Sequence, residues 1–214
     1  MTRIESVILE VADTAAAQQF YSAAFGLEDQ VSLRASDAPT SGFRGFTLSL
    51  IVSQPGDAGA LLAAAVDAGA TVLRPAAKSI WGFGGTVQAP DGTIWKVATS
   101  AKKDTAAVSR KIDSIVLLLG AADVAASKKF YTGHGFEIGR SLGSYVDFAT
   151  PSSPIGLGLY KRRALAKDAG VPVEGSGSNR LAVAADVGVF TDPDGFAWEL
   201  AAGGAEEPPA IMGA

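Results

Sequence analysis

The side chains of this chain that could take part in chemistry are mainly hydroxyls, carboxylates and cations. The 214 residues include a single histidine, His134, and no cysteine. The chain therefore has no thiolate nucleophile and no cysteine ligand for a metal. His134 lies in the run Thr132-Gly133-His134-Gly135, which indicates an exposed loop histidine, with a catalytic or ligand role as the alternative. A lone loop histidine also disfavours a Ser-His-Asp triad.

A second stretch with possible chemistry is glycine-rich: Gly82, Gly84 and Gly85 lie within four residues of one another. A phosphate loop would add Gly-Lys-Ser/Thr and lead into a helix. Neither feature follows here, so this pattern does not predict a nucleotide site.

The composition limits the classes of protein that the chain can belong to. Apolar residues make up 48% of it, enough for a sizeable core, and the net charge is −4 with a pI near 5.0. An acidic chain lacks the basic face that nucleic acids require. No apolar run reaches the ~18 residues of a membrane span, and the first residues have no apolar signal core. We therefore expect a cytoplasmic protein without nucleic-acid or membrane partners.

An internal repeat is the main signal of organisation. The run Arg3–Val7 returns as Lys111–Ile115, and each copy leads to a Phe-Tyr pair. Pro90-Asp91-Gly92-Thr93-Ile94-Trp95-Lys96-Val97 returns as Pro193-Asp194-Gly195-Phe196-Ala197-Trp198-Glu199-Leu200. A repeat of about a hundred residues indicates a duplicated domain.

The repeat divides the chain into two modules. We predict a first module over 1–98, a linker over 99–110, a second module over 111–202 and a flexible tail over 203–214. The spacing between shared motifs shows that the first module is short in its front half and the second in its back half. We therefore expect the two modules to pack as one body.

Hydrophobic periodicity predicts an α+β unit in each module. Asp13 or Thr14 can cap the first helix, and Gly26 follows it as a stop signal. The predicted helices are 14–25, 59–68, 123–132 and 162–169. The predicted strands are 3–11, 29–34, 43–53, 71–74, 84–89, 93–98, 111–119, 136–141, 144–149, 155–161, 180–186, 187–191 and 196–201.

These motifs together resemble the vicinal oxygen chelate superfamily, which includes glyoxalase I, bleomycin-resistance proteins and extradiol dioxygenases. The matching text is the strand Val7–Asp13, the pair Phe20-Tyr21, Phe25-Gly26-Leu27 and the closing run Thr191–Leu200. The resemblance implies tandem modules of βαβββ motifs. Each sheet would curl into a cup with helices outside, and the cup would hold the ligand and, in the enzymes, a divalent metal.

The residues at the metal positions implied by the resemblance are poor ligands. The family's metal enzymes place histidine or similar ligands on the opening strands and use the Glu of Trp-Glu. The corresponding residues are Ser6, Gly45 and Lys96 in the first module, and Ser114, Arg180 and Glu199 in the second. Only Glu199 could coordinate a cation. We therefore expect no metal and no cofactor.

The same positions predict charge pairs. Glu199 could form an ion pair with Arg180 in place of a metal, act as a general base with a raised pKa, or remain as an unused ligand in a solvated mouth. Lys96 could pair with Glu10, which alternation places on the same face as Ser6.

The cup lining follows from the period-2 alternation of the strands. Trp81 and Phe83 resemble the aromatic rim of the family's cups, so we expect them to stack on a ligand, although one of them could equally be core. Trp95 and Trp198 are out of phase with the cup and should pack in the core. The predicted binding residues share positions on cup-facing strands or at the rim: Ser6, Ile8, Glu10, Thr47, Ser49, Trp81, Phe83, Lys96, Ser114, Tyr145, Tyr160 and Arg180.

Three functions fit these observations. The first is a metal-independent binding protein of the glyoxalase/bleomycin-resistance type for a small, partly aromatic or hydrophobic molecule. The second is a lyase, isomerase or oxidoreductase relative that uses Glu199 as acid or base. The third is a structural or interaction protein whose cups are filled by side chains. The duplication is compatible with a monomer or a homodimer.

Overall fold

A computed structural model describes residues 2–27 and 30–201 of the chain. The predicted tail over 203–214 lies outside the described residues. The strands are β1 (Ile4–Val11), β2 (Val31–Ala35), β3 (Thr40–Gly42), β4 (Phe46–Ile51), β5 (Thr71–Ser79), β6 (Gly82–Gln88), β7 (Ile94–Thr99), β8 (Ser114–Ala121), β9 (Glu137–Leu142), β10 (Tyr145–Ala149), β11 (Ile155–Lys161), β12 (Gly175–Gly177), β13 (Leu181–Ala185), β14 (Phe190–Thr191) and β15 (Ala197–Leu200). The helices are α1 (Thr14–Ala24), α2 (Pro55–Asp67), α3 (Val124–Gly133) and α4 (Arg162–Ala169). The α+β class is therefore confirmed.

Both large sheets combine strands from the two halves of the chain. The eight-stranded sheet has the order β5-β6-β7-β4-β8-β11-β10-β9, and the five-stranded sheet has the order β14-β15-β13-β1-β2. The halves join where β4 runs antiparallel to β8 and where β1 runs antiparallel to β13. The two long motifs, β4–β7 and β8–β11, thus build one sheet, and the short first and last motifs build the other. This pairing gives a structural reason for the unequal spacing in the repeat.

One continuous core lies under both sheets and helices α1 to α3. Trp95 and Trp198 are completely or almost completely buried there, at 0% and 1% exposure. The prediction that both tryptophans belong to the core is confirmed. The buried face of β1 carries Val7, Leu9 and Val11, so its other face carries Ser6, Ile8 and Glu10, as alternation predicts.

The two repeated helices, α1 and α3, begin at capping aspartates, whereas α2 begins at Pro55, four residues before the predicted start. The Asp13 carboxylate accepts a hydrogen bond from the amide of Ala16 at 2.9 Å, and Asp123 accepts from Ala125 and Ala126 at 2.9 and 3.1 Å. Each bond satisfies a backbone donor that has no partner within the helix.

A buried tyrosine in each repeated helix fixes the turn that precedes the last strand. The Tyr21 hydroxyl donates to Asp91 at 2.6 Å, and the Tyr131 hydroxyl donates to Asp192 at 2.6 Å. Burial, and then the nearby carboxylate, raise the pKa of both tyrosines well above the usual value. These bonds hold the turns that lead into β7 and β15 and so position Lys96 and Glu199.

The segment predicted as a linker lies against the start of α2. Residues 100–110 contain no helix or strand. The side chain of Gln54 accepts hydrogen bonds from the amides of Thr105 and Ala106 at 2.9 and 3.0 Å, and Asp57 accepts from the amide of Ser109 at 2.6 Å. Among the described residues, no helix has the length and apolar character needed to cross a membrane.

Candidate functional site

Each large sheet has one face on the shared core and one face turned away from it, which we call its cup face. On the five-stranded sheet the cup face carries Ser6 and Ile8 of β1, which lie opposite Ala184 and Ala182 of β13. Ala184 in turn is in register with Glu199 of β15. The alternation in the sequence therefore predicts correctly which side of each strand faces away from the core. It does not predict that β1 of the first module and β13 of the second share one face.

The charges on the five-stranded cup face bind one another. Arg34 of β2 donates two hydrogen bonds to the Glu199 carboxylate, at 2.8 and 2.6 Å, and lies 3.6 Å from Glu10. A guanidinium that grips a carboxylate with two parallel bonds is the strongest form of this pair. The Arg34 hydrogen bonds lower the pKa of Glu199.

Two predictions about Glu199 are wrong. Its partner is Arg34 and not Arg180, whose guanidinium donates to the backbone carbonyls of Ser36 and Ala38. Arg180 lies just before β13 with a φ of 55°, outside the strand on which the prediction placed it. The raised pKa expected of a general base is also wrong in direction, because a neighbouring cation stabilises the ionised carboxylate.

The residues on this face do not fit the divalent metal of the family's enzymes. Glu199 and Glu10 both lie close to the Arg34 guanidinium, at 2.6 and 3.6 Å, and the neighbouring Ser6, Ala182 and Ala184 bring no further carboxylate or imidazole. Within residues 2–27 and 30–201, no three His, Cys, Asp or Glu side chains converge closely enough to hold a metal ion. Because divalent transition metals require such ligands, this face does not supply a metal site.

Helix α4 lies across the middle of the eight-stranded cup face. Its residues Leu165, Ala166 and Ala169 are buried in a small cluster with Ile94 of β7, and Leu118 of β8 packs against that cluster. Gly45, a predicted ligand position, has a φ of 90° and lies just before β4, where a side chain would overlap the guanidinium of Arg162 from α4. The centre of this cup is therefore filled by protein.

Lys96 pairs across the cup face with α4. Its ammonium lies 2.7 Å from the Asp168 carboxylate. The predicted pair of Lys96 with Glu10 is wrong, because the two residues belong to different sheets: Lys96 is on β7 and Glu10 is on β1. Alternation assigns a residue to a face but does not assign its neighbour.

A cavity of about 770 Å³ remains at the β5–β7 end of the eight-stranded cup face. We call it the β5–β7 cavity. Three of the predicted binding residues, Trp81, Phe83 and Lys96, line it. The Trp81 side chain is 83% exposed, whereas Phe83 is half-buried against the main core. The further lining residues are Leu73, Arg74, Pro75, Ala77, Lys78, Ser79, Gly82, Gly84, Gly85, Thr86, Ala98, Thr99, Asp168 and Gly170.

The other nine predicted binding residues do not line this cavity. Thr47 and Ser49 are on the cup face of β4 but are buried, at 4% and 5% exposure. Ser114 is exposed at the start of β8. Tyr145 and Tyr160 pack edge to face, with ring centroids 6.0 Å apart, on β10 and β11 beyond α4. The structure therefore divides the predicted set among the two cup faces and the two sides of α4.

His134 has a defined structural contact. It caps the end of α3, its Nδ1 bonds the Phe130 carbonyl at 2.9 Å, and its ring lies 4.2 Å from the rings of both Phe130 and Phe190. The histidine is half-buried and not fully exposed as predicted.

Three charged residues of the β5–β7 cavity were missed by the sequence analysis: Arg74, Lys78 and Asp168. Asp168 lies in a predicted helix, and the apolar positions Leu165, Ala166 and Ala169 give that helix a buried face. That amphipathic pattern could have indicated that α4 packs on a sheet, but not on which sheet.

Comparisons with known proteins bear on the fold. No family model and no curated protein sequence matches the chain. Glyoxalase I from Zea mays superimposes with a TM-score of 0.60 at 15% identity, covering 92% of this chain and 91% of that one. A candidate dioxygenase from Bacillus subtilis superimposes with a TM-score of 0.62 at 10% identity, covering 93% and 84%. The chain thus has the fold of the vicinal oxygen chelate superfamily, as the motifs predict.

Proposed function

We propose that this protein binds a small, partly aromatic or hydrophobic molecule in the β5–β7 cavity, without a metal. The observation that carries the proposal is the exposed Trp81 ring at the rim of a cavity of about 770 Å³. This volume lies within the range of small-molecule sites, about 300–1,000 Å³. A large aromatic side chain left in solvent beside such a cavity favours a stacking surface over a packing role.

The proposal that no metal is involved rests on the side chains at the positions where a metal would bind. The positions that correspond to ligands in the family's enzymes hold serine, glycine, lysine and arginine, and the one carboxylate, Glu199, is bound by Arg34. Metal analysis of the purified protein tests this part directly. A stoichiometric amount of nickel, zinc or iron would overturn it.

Tryptophan fluorescence tests the binding part, because the three tryptophans differ in exposure. Trp95 and Trp198 are buried, and Trp81 is exposed at the cavity. A molecule in the β5–β7 cavity should therefore change the emission of Trp81 alone. We expect quenching by some members of a panel of small aromatic alcohols, acids and amines, and no quenching in Trp81→Phe.

Calorimetry with the quenching compounds shows whether Trp81 contributes to affinity. Trp81→Ala should weaken binding about fivefold, since aromatic stacking contributes about 1 kcal/mol. Leu142→Ala is the matched control, because Leu142 is also highly exposed, at 71%, but lies on β9 at the opposite edge of the sheet. Equal affinity in Trp81→Ala and the wild type, or no response from any compound at millimolar concentration, would refute the proposal.

A further inference from the structure

The charge of the β5–β7 cavity differs in sign from that of the whole chain. Three cations line it, Arg74, Lys78 and Lys96, together with one carboxylate, Asp168. The chain as a whole has a net charge of −4. A local excess of positive charge in a recess focuses the field on whatever enters it.

Lys96 is oriented by Asp168 and keeps part of its hydrogen-bonding capacity. One of its three N–H donors is used by the Asp168 carboxylate at 2.7 Å. Lys96 lies on the cup face of β7, beside Thr86 of β6. The remaining two donors are available to a group on the floor of the cavity.

Arg74 is held at the wall of the cavity where α4 ends. Its guanidinium donates to the Lys167 carbonyl at 2.5 Å. Its stem lies so close to Gly170 that a side chain at that position would come within 3.0 Å of it. Arg74 therefore adds a fixed charge, and part of that charge offsets the carbonyl end of α4.

Lys78 brings a third charge close to the aromatic residues. On β5 it pairs in register with Phe83 of β6, and the hairpin that joins these strands carries Trp81. Lys78 makes no ion pair with any residue within 2–27 or 30–201. An aromatic surface and a cation without an acidic partner thus lie at the same rim.

We infer that the ligand of the β5–β7 cavity is an aromatic anion, whose ring stacks on Trp81 and whose acidic group binds Lys96, while Lys78 adds to the positive field at the rim. This inference rests on the proposed function and adds the chemical class of the ligand. A carboxylate and a phosphate monoester share the required chemistry, since each is an anionic acceptor for ammonium donors. Asp168 acts as a positioning residue that also repels the anion.

Three probes with one aromatic body test the inference by calorimetry: 2-naphthoate, 2-naphthyl phosphate and the neutral 2-naphthalenemethanol. We expect at least one anion to bind about tenfold more tightly than the alcohol at low salt. High salt should reduce that ratio and leave the affinity of the alcohol unchanged, because exposed charges are screened. The anion that binds more tightly distinguishes the carboxylate from the phosphate.

Variants assign the charge to particular residues. Lys96→Met should weaken binding of the preferred anion about three- to tenfold. Lys78→Met should weaken it less, because Lys78 is in register with Phe83 and so lies on the opposite face of the sheet from Lys96. Neither variant should change the affinity of the alcohol. Asp168→Asn should strengthen the binding of the anion, because it removes a negative charge that repels the ligand. Lys129→Met is the control for net charge, since Lys129 is exposed on α3 and does not line the cavity.

The outcomes separate the inference from the proposed function. If the alcohol binds as tightly as both anions and Trp81→Ala weakens all three probes, the cavity binds small molecules and the inference is wrong. If Lys129→Met weakens the binding of the anion as much as Lys96→Met does, the effect comes from the net charge of the protein and the inference is again wrong. If none of the three probes binds at millimolar concentration but neutral or cationic compounds of the panel quench Trp81, only the inference is refuted. If neither the probes nor any compound of the panel binds, both proposals are refuted.

Discussion

On the five-stranded sheet the cup-face charges neutralise one another, whereas on the eight-stranded sheet the cup face is divided between a packed helix and an open cavity. Arg34 grips Glu199 and approaches Glu10 on the first face. On the second, α4 covers the centre, and cations remain around the space at the β5–β7 end. The comparison indicates that the corresponding faces of two large sheets in one chain can be occupied in different ways, one by paired charges and the other by a helix and a cavity.

Helix α4 is the element that makes the two faces different, so removing its anchor should give the largest effect. Leu165 is completely buried between α4 and the sheet. Leu165→Ala should lower the free energy of unfolding by about 2–4 kcal/mol, through lost burial and the cavity left behind. Urea unfolding followed by circular dichroism measures this change.

The matched control for that variant is Leu142→Ala, which makes the same truncation at a side chain that is 71% exposed. It should change stability by no more than about 0.5 kcal/mol. If the two variants had equal effects, α4 would not be a packed part of the cup, and the contrast between the faces would fail.

The two repeated turns provide a second comparison, with an intermediate effect. Tyr131 donates to Asp192, which is 5% exposed, and accepts a bond from the Trp198 indole at 3.2 Å. In the first half alanine, Ala89, occupies the position equivalent to Asp192, so Tyr21 donates instead to the half-buried Asp91, two residues later. The Asp equivalent to Asp91 in the second half, Asp194, bonds Ser127 at 2.7 Å.

Phenylalanine variants measure this difference. Tyr131→Phe should cost about 1.5–3 kcal/mol, because a buried carboxylate loses a donor. Tyr21→Phe should cost less, about 1 kcal/mol, because water can reach Asp91 more easily than Asp192. Urea unfolding of both variants gives the order directly. If Tyr21→Phe were the more destabilising variant, the exposure of the acceptor carboxylate would not determine how much stability is lost.

The sequence predicts the fold and the orientation of side chains more fully than it predicts their partners. Alternation placed Ser6, Glu10 and Glu199 on cup faces correctly, and the phase of Trp198 placed it in the core, because both follow from local geometry. The cation that meets Glu199 depends on the order of strands, which brings β2 and β15 onto one sheet although Arg34 and Glu199 are 165 residues apart.

The same reasoning explains why the cavity charges were missed. Asp168 reaches Lys96 only because α4 crosses the eight-stranded sheet, and a helix pattern does not specify which sheet the helix covers. The position of Trp81 at the cavity could be predicted, because its type and its glycine-rich surroundings form a local signal. The division of the chain into modules at 98 and 111 stays a prediction, since each sheet draws on both halves.

The charge pair on the five-stranded face should give the smallest effect, and its pH dependence has a definite sign. The pKa of Glu199 is lowered in the folded protein, chiefly by the Arg34 hydrogen bonds. The pair therefore stabilises the fold above the ordinary glutamate pKa, and this contribution is lost as the pH falls through the lowered value. Both side chains are more than a third exposed, so the contribution at neutral pH should be below about 1 kcal/mol.

Arg34→Met tests that sign through unfolding free energies measured from neutral to acid pH. Its difference from the wild type should be small but present at pH 7, and should shrink as the pH falls through the lowered pKa of Glu199. Arg163→Met is the control, since Arg163 is an exposed arginine of α4 without an ion pair among the described residues. A difference that grows on acidification would mean that Arg34 does not hold Glu199 ionised, and the two cup faces would then not differ in how their charges are neutralised.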